Sequence, residues 1–125
     1  MADGSTADES EPQKPEFHKL CRLDDMWAGD TQIFTVAGTK VLVVHTDDGS
    51  LTAVQAMCPH QSVSLADAKL NGRVLTCPMH LWEMDVVSGK GVNPKHAELA
   101  MYPIQLKNGC VYVSVAGIRP KFSRP

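Results

Sequence analysis

Two short stretches of this 125-residue chain bring together side chains able to hold a soft or borderline metal: Cys58-Pro59-His60 and Cys77-Pro78-Met79-His80. Each offers a thiolate and an imidazole, so together they form a two-sulfur, two-nitrogen ligand set. Such a set suits zinc, or an iron-sulfur cluster in which two histidines replace two cysteines. One residue separates the ligands in the first loop and two in the second, and sixteen residues, 61–76, lie between His60 and Cys77. Zinc sites more often use spacings such as Cys-x2-Cys and His-x3-His, yet a zinc-stabilised binding module remains a reading of the same four residues. Pro59 and Pro78 fix backbone angles and remove one amide donor from each loop.

The elements that must position these loops read as strands. Residues 17–23, 31–36, 40–46 and 51–56 are strand-like, and the last run leads straight into the first loop; residues 73–76 lead into the second in the same way. The run Val41-Leu42-Val43-Val44 is continuous and mostly β-branched, as expected of a strand buried on both faces. Turn signals fall at Ala37-Gly38-Thr39, Asp47-Asp48-Gly49-Ser50, Asn71-Gly72, Ser88-Gly89-Lys90-Gly91 and Asn108-Gly109. Residues 24–30 read as a turn with one aspartate-capped helical turn, and residues 99–107 and 110–115 as a closing hairpin. No stretch sustains a helical period. The expected fold is therefore all-β, an antiparallel sandwich or partly open barrel, with residues 57–86 inserted as a two-loop metal-binding lobe.

Length suits one domain. Residues 1–16 carry five acids against Lys14 and no apolar side chain larger than alanine after Met1, a composition expected to stay disordered. The rest of the chain has eleven Lys and Arg against nine Asp and Glu, so the formal charge of −2 says little about the folded surface. The expected division is an acidic tail at 1–16, a domain at 17–119 and a short tail at 120–125. With no basic cluster, nucleic acid is not an expected partner. No apolar stretch is long enough to cross a membrane and none follows a basic N-terminus, so a cytoplasmic setting is expected, where paired cysteines hold metal more often than they form disulfides. Cys21 and Cys110 read as structural thiols; His18, His45 and His96 read as strand or surface histidines.

The pattern Cys58-x-His60, sixteen residues, Cys77-x-x-His80 resembles the signature of Rieske proteins, which hold a 2Fe-2S cluster through two cysteines and two histidines. The likeness extends to Gln55-Ala56-Met57-Cys58-Pro59-His60-Gln61, to His80-Leu81-Trp82, to the glycine turn before Asn93-Pro94 and to residues 99–103. These resemble the Rieske ferredoxins of multicomponent toluene monooxygenases, over roughly residues 20–120 by pattern alone.

That resemblance implies one 2Fe-2S cluster, with Cys58 and Cys77 on the inner iron and His60 and His80 on the outer, more easily reduced iron. It implies a monomeric one-electron carrier between an NADH-dependent flavoprotein reductase and the di-iron hydroxylase of an aromatic or alkene monooxygenase. The alternative within the same class is the ferredoxin of a ring-hydroxylating dioxygenase, whose first loop often continues with glycine where this chain has Gln61. The chain has neither a dinucleotide-binding fingerprint nor paired Glu-x-x-His motifs, so a carrier rather than an enzyme is expected. Val63 and Met79 stand where respiratory and photosynthetic Rieske subunits carry extra cysteines, and Leu81-Trp82 follows His80 where they place a hydroxyl donor. The expected potential is accordingly low, about −150 mV rather than about +300 mV. Pro59, Gln61, Pro78, Met79, Leu81 and Trp82 are uncharged and form a candidate docking apex, with Trp82 also readable as an aromatic packed within the lobe.

Overall fold

The computed structural model describes residues 16–59, 64–79 and 81–122. Among these residues the regular structure is β, apart from a single 3-10 turn at Leu23–Asp25, in agreement with the all-β expectation. The turn is tied by Asp25, whose carboxylate accepts from the Arg22 amide at 3.2 Å, and is followed by Asp30 accepting from the Trp27 amide at 3.1 Å. Of the aspartates expected to cap it, Asp25 holds the start of the turn, while Asp30 holds the bend that follows.

The strands form three antiparallel sheets. A central sheet has the order β2 (Asp30–Val36), β3 (Thr39–His45), β4 (Leu51–Gln55) and β9 (Met101–Tyr102). A three-stranded sheet of β1 (His18–Arg22), β11 (Cys110–Val113) and β10 (Ile104–Lys107) covers one of its faces. The lobe, of β5 (Lys69–Asn71), β6 (Val74–Thr76), β7 (Glu83–Asp85) and β8 (Gly91–Asn93), packs on the other.

Alternation along β3 explains this layering. Val41 and Val43 join the cluster of Val36, Ala53, Tyr102 and Val113, whereas Leu42 and Val44 join that of Val54, Leu65, Leu75, Met84 and Val86. All four β3 side chains are fully buried, as the unbroken apolar run predicts. Lobe strands of three residues are too short to be stable alone. Burying Leu65, Leu75 and Met84 against β3 and β4, at about 1.5–3 kcal/mol for each large apolar side chain, supplies what their few ladder hydrogen bonds do not.

Turn chemistry sets the registers. Val36 pairs with Thr39 across Ala37 and Gly38, both left-handed at φ 49° and 83°, so the loop has two residues, one fewer than the three-residue turn read from sequence. Asn108 and Gly109 make the equivalent turn between Lys107 and Cys110. Residues 99–107 differ from the single strand predicted: Pro103 separates β9 from β10, and the chain passes from the central sheet to the covering sheet at that point. Proline lacks the amide a continuing ladder would need, and its carbonyl accepts instead from Ser114 at 3.1 Å. The short strands β5 and β8 fall where the sequence reading placed lobe loop and turn.

Among the described residues, no helix is long and apolar enough to cross a membrane.

Gly91 seats the connection after β8. A Cβ there would lie 2.3 Å from the Pro94 carbonyl oxygen and 2.7 Å from that of Ala97, both backbone atoms that cannot swing aside. Gly91→Ala is therefore expected to destabilise the lobe by about 1–3 kcal/mol, as a lowered chemical-denaturation midpoint. An unchanged midpoint would show that this connection yields freely.

Candidate metal centre

Both loops leave the ends of strands and return through short backbone links. Beyond β4, Ala56 accepts from the Leu65 amide at 2.7 Å and Met57 bridges Ser64, which closes the first loop at its base. Beyond β6, the Cys77 amide donates to the Trp82 carbonyl at 2.8 Å, closing the second loop onto the entry to β7. The two cysteines belong to one buried cluster with Leu65, Leu75, Trp82 and Met84, each only 1% exposed. His60 and His80, together with Gln61 and Val63, lie outside the described residues.

Two thiols from separate loops, brought into one apolar layer beyond the ends of β4 and β6, are the sulfur half of the expected donor set. Their surroundings fit thiolate ligands whose charge a metal would neutralise. Beside Cys77 lies a cavity of about 260 Å³ lined by Asp67, Lys69, Thr76, Pro78 and Leu81.

The candidate apex divides into two parts. Pro78, Met79 and Leu81 are exposed, Leu81 at 67%, whereas Pro59 and Trp82 are buried. The Trp82 ring meets His96 edge-on, with centroids 5.6 Å apart and planes at 81°, so it acts as a packed lobe aromatic rather than an offered surface. His96, read from sequence as a strand or surface histidine, is indeed exposed, and its ring also packs against Trp82. Leu81 holds a left-handed backbone at φ 57°, unusual for a branched side chain, and is turned out to solvent beside the loop.

Asp85 anchors the turn that follows β7. Its carboxylate takes a 2.7 Å contact from Arg73 Nε and accepts from the amides of Val87 at 2.8 Å and Ser88 at 3.1 Å. Burial alone pushes this carboxyl up, but the Arg73 hydrogen bond, the two amides and the Arg73 charge together hold it below its ordinary value. Cys110 is buried and Cys21 half-buried, and both are free thiols; burial, with Asp25 and Cys110 adding to it, pushes the Cys21 thiol up, which suits an inert structural group.

This is a layered β domain with a sulfur-lined two-loop lobe, the architecture of an iron-sulfur electron-transfer protein. The chain belongs to the Rieske [2Fe-2S] domain family, whose model matches residues 16–103. It is 35% identical over 108 residues to the ferredoxin component of an alkene monooxygenase system from Xanthobacter autotrophicus strain Py2, covering 86% of this chain and 88% of the relative. It is 32% identical over 95 residues to the ferredoxin component of a naphthalene 1,2-dioxygenase system from Pseudomonas putida, covering 75% and 90%. Among solved structures it is similar to a chain in a complex of reduced oxygenase and oxidized ferredoxin of carbazole 1,9a-dioxygenase, with a TM-score of 0.72, 26% identity and coverage of 86% and 97%. The Xanthobacter and Pseudomonas relatives are both ferredoxin components of oxygenase systems.

Because the Asp85 carboxyl is lowered in the folded lobe, its stabilisation is fully present above the ordinary carboxylate range of about 4 and is lost as pH falls through the lowered value. Asp85→Ala is expected to cost about 1 kcal/mol at neutral pH, discounted for the half-exposed guanidinium, and progressively less in acid. Thermal melts of both proteins across that range check the sign. A difference that grows in acid would contradict it.

Proposed function

We propose that Cys58, His60, Cys77 and His80 hold one 2Fe-2S cluster, within a unit spanning residues 17–119, and that the protein carries single electrons to the oxygenase of an aromatic-compound oxygenation system. The observation that carries this reading is the convergence of Cys58 and Cys77 in one buried layer at the bases of two loops that each place a histidine within three residues. When bound, such a cluster supplies a one-electron redox couple. The chain's own part is to bury the sulfur side, to present the second loop's uncharged flank and to keep water from the thiolates.

A ring-hydroxylating dioxygenase is the favoured recipient, supported by the naphthalene dioxygenase relative and by the likeness to the carbazole dioxygenase complex. The likeness to the alkene monooxygenase ferredoxin favours a second reading, delivery to a monooxygenase, the class in which the toluene-type di-iron hydroxylase first expected from the sequence also falls. In either case an NADH-dependent flavoprotein reductase is the expected donor, the carrier works as a cytoplasmic monomer, and its potential lies near the low end of the Rieske range, about −150 mV.

Docking is assigned to Pro78, Met79 and Leu81, the uncharged and exposed flank of the second loop. Met79→Glu and Leu81→Asp are each expected to slow electron delivery to a dioxygenase about tenfold while leaving the midpoint potential unchanged. Stopped-flow oxidation of the reduced protein by a purified ring-hydroxylating dioxygenase and by a di-iron hydroxylase tests recipient and surface together. A potential well above zero, or unchanged delivery rates in both variants, would contradict the reading.

A further inference from the structure

Gln55, the last residue of β4, is fully buried, and all four hydrogen-bonding positions of its amide are filled. Its Nε2 donates to the Met57 carbonyl at 2.8 Å and to the Lys121 carbonyl at 2.9 Å. Its Oε1 accepts from the Ala100 amide at 2.8 Å and from the Lys121 amide at 2.7 Å. Reversing the amide would set two N–H donors against its NH2 group and two carbonyls against its oxygen, so the orientation is fixed by its partners.

Packing alone does not call for an amide here, since leucine would fill similar volume without needing partners. Glutamine is needed because the backbone of Lys121, 66 residues away in sequence, reaches this point with both its amide and its carbonyl unpaired by any strand. The same NH2 group that donates to the Lys121 carbonyl also grips Met57, whose carbonyl belongs to the peptide joining it to Cys58. Residues 118–122 are drawn across the fold to reach this point, with Ile118 packed into the cluster between the central and covering sheets. The exposed Lys121 Nζ contact to Glu98, at 3.4 Å, adds little to this.

We infer that Gln55 and the Lys121 backbone form a clasp that positions the first cysteine loop, making the segment at residues 118–122 part of the support of the metal centre rather than a free tail. Gln55 is a positioning residue. All four of its hydrogen bonds go to backbone groups, and through Met57 it fixes the peptide that carries Cys58. This inference rests on the cluster reading above for its redox consequence, while its structural consequence can be measured without metal.

The test compares wild type, Gln55→Glu, a chain lacking residues 120–125, and one lacking only residues 123–125. The iron-loaded proteins are followed for loss of visible absorption under chelator and for midpoint potential, and the metal-free proteins for amide exchange at Met57 and Cys58. Gln55→Glu keeps the shape but removes the donor to both carbonyls. It and the 120–125 deletion are each expected to speed cluster loss about tenfold, to move the potential and to raise exchange at Met57 and Cys58. Combined, the two changes should do little more than either alone, because both break one linkage. The 123–125 deletion should match wild type. If Gln55→Glu does not fold, the deletion pair decides alone. Wild-type cluster lifetime and exchange in the 120–125 deletion would overturn the clasp, as would exchange rising equally along β3 and β10. Absence of iron from the wild-type protein would instead refute the cluster reading, and exchange in the same proteins would still decide the clasp.

Discussion

Burial of β3 and β4 on both faces is the constraint on which the rest of the structure depends. One set of alternating side chains, Val41, Val43 and Ala53, closes against the covering sheet, and the other, Leu42, Val44 and Val54, closes against the lobe. A one-residue slip in register would exchange the two sets and leave neither layer matched. The lobe has no stable existence without this platform, because its strands are three residues long and its core is completed by β3 and β4. The two cysteine loops therefore inherit their rigidity from strands that contribute none of the proposed ligands.

From that platform the site is built by fixing loop bases rather than loop tips. Hydrogen bonds from Leu65 to Ala56 and from Cys77 to Trp82 close the two loops, while Gln55 and Asp85 secure the chain on either side of them. Both of these polar residues satisfy backbone groups that would otherwise be left without partners where regular strands stop. The loop segments themselves carry no Asp, Glu, Lys or Arg, Asp67 and Lys69 line the cavity beside Cys77, and the exposed flank of the second loop is formed by Pro78, Met79 and Leu81. Such a surface suits a carrier that must meet partners and leave them, since it offers contact without a buried ion pair to break.

Much of this was legible in the sequence because the informative signals are local. The unbroken Val41-Leu42-Val43-Val44 run announced two-sided burial, Asn108-Gly109 announced its hairpin, and the two cysteine-histidine loops carried the likeness to the Rieske family to which the chain belongs. What was not legible depends on distant partners. Nothing local to residues 99–107 says that Pro103 marks a change of sheet, since that depends on which strand each half meets. The burial of Pro59 and Trp82 separates them from the exposed apex, and for Trp82 it comes from the lobe core and the ring of His96. Gln55 was visible only as part of a resemblance; its function appears once Lys121 is seen to arrive beside it. The anchoring by Asp85 likewise appears only once the turn after β7 folds back onto it.

The measurement that tests the central claim most directly is an EPR spectrum of the purified, dithionite-reduced protein with its metal content determined on the same sample. Two irons per chain and an S = 1/2 signal with the low average g value of a histidine-ligated 2Fe-2S centre are expected, and both should be lost when Cys58 or Cys77 is replaced by serine. A silent spectrum from protein holding zinc and no iron would contradict the electron-carrier account and leave a zinc-stabilised binding module in its place.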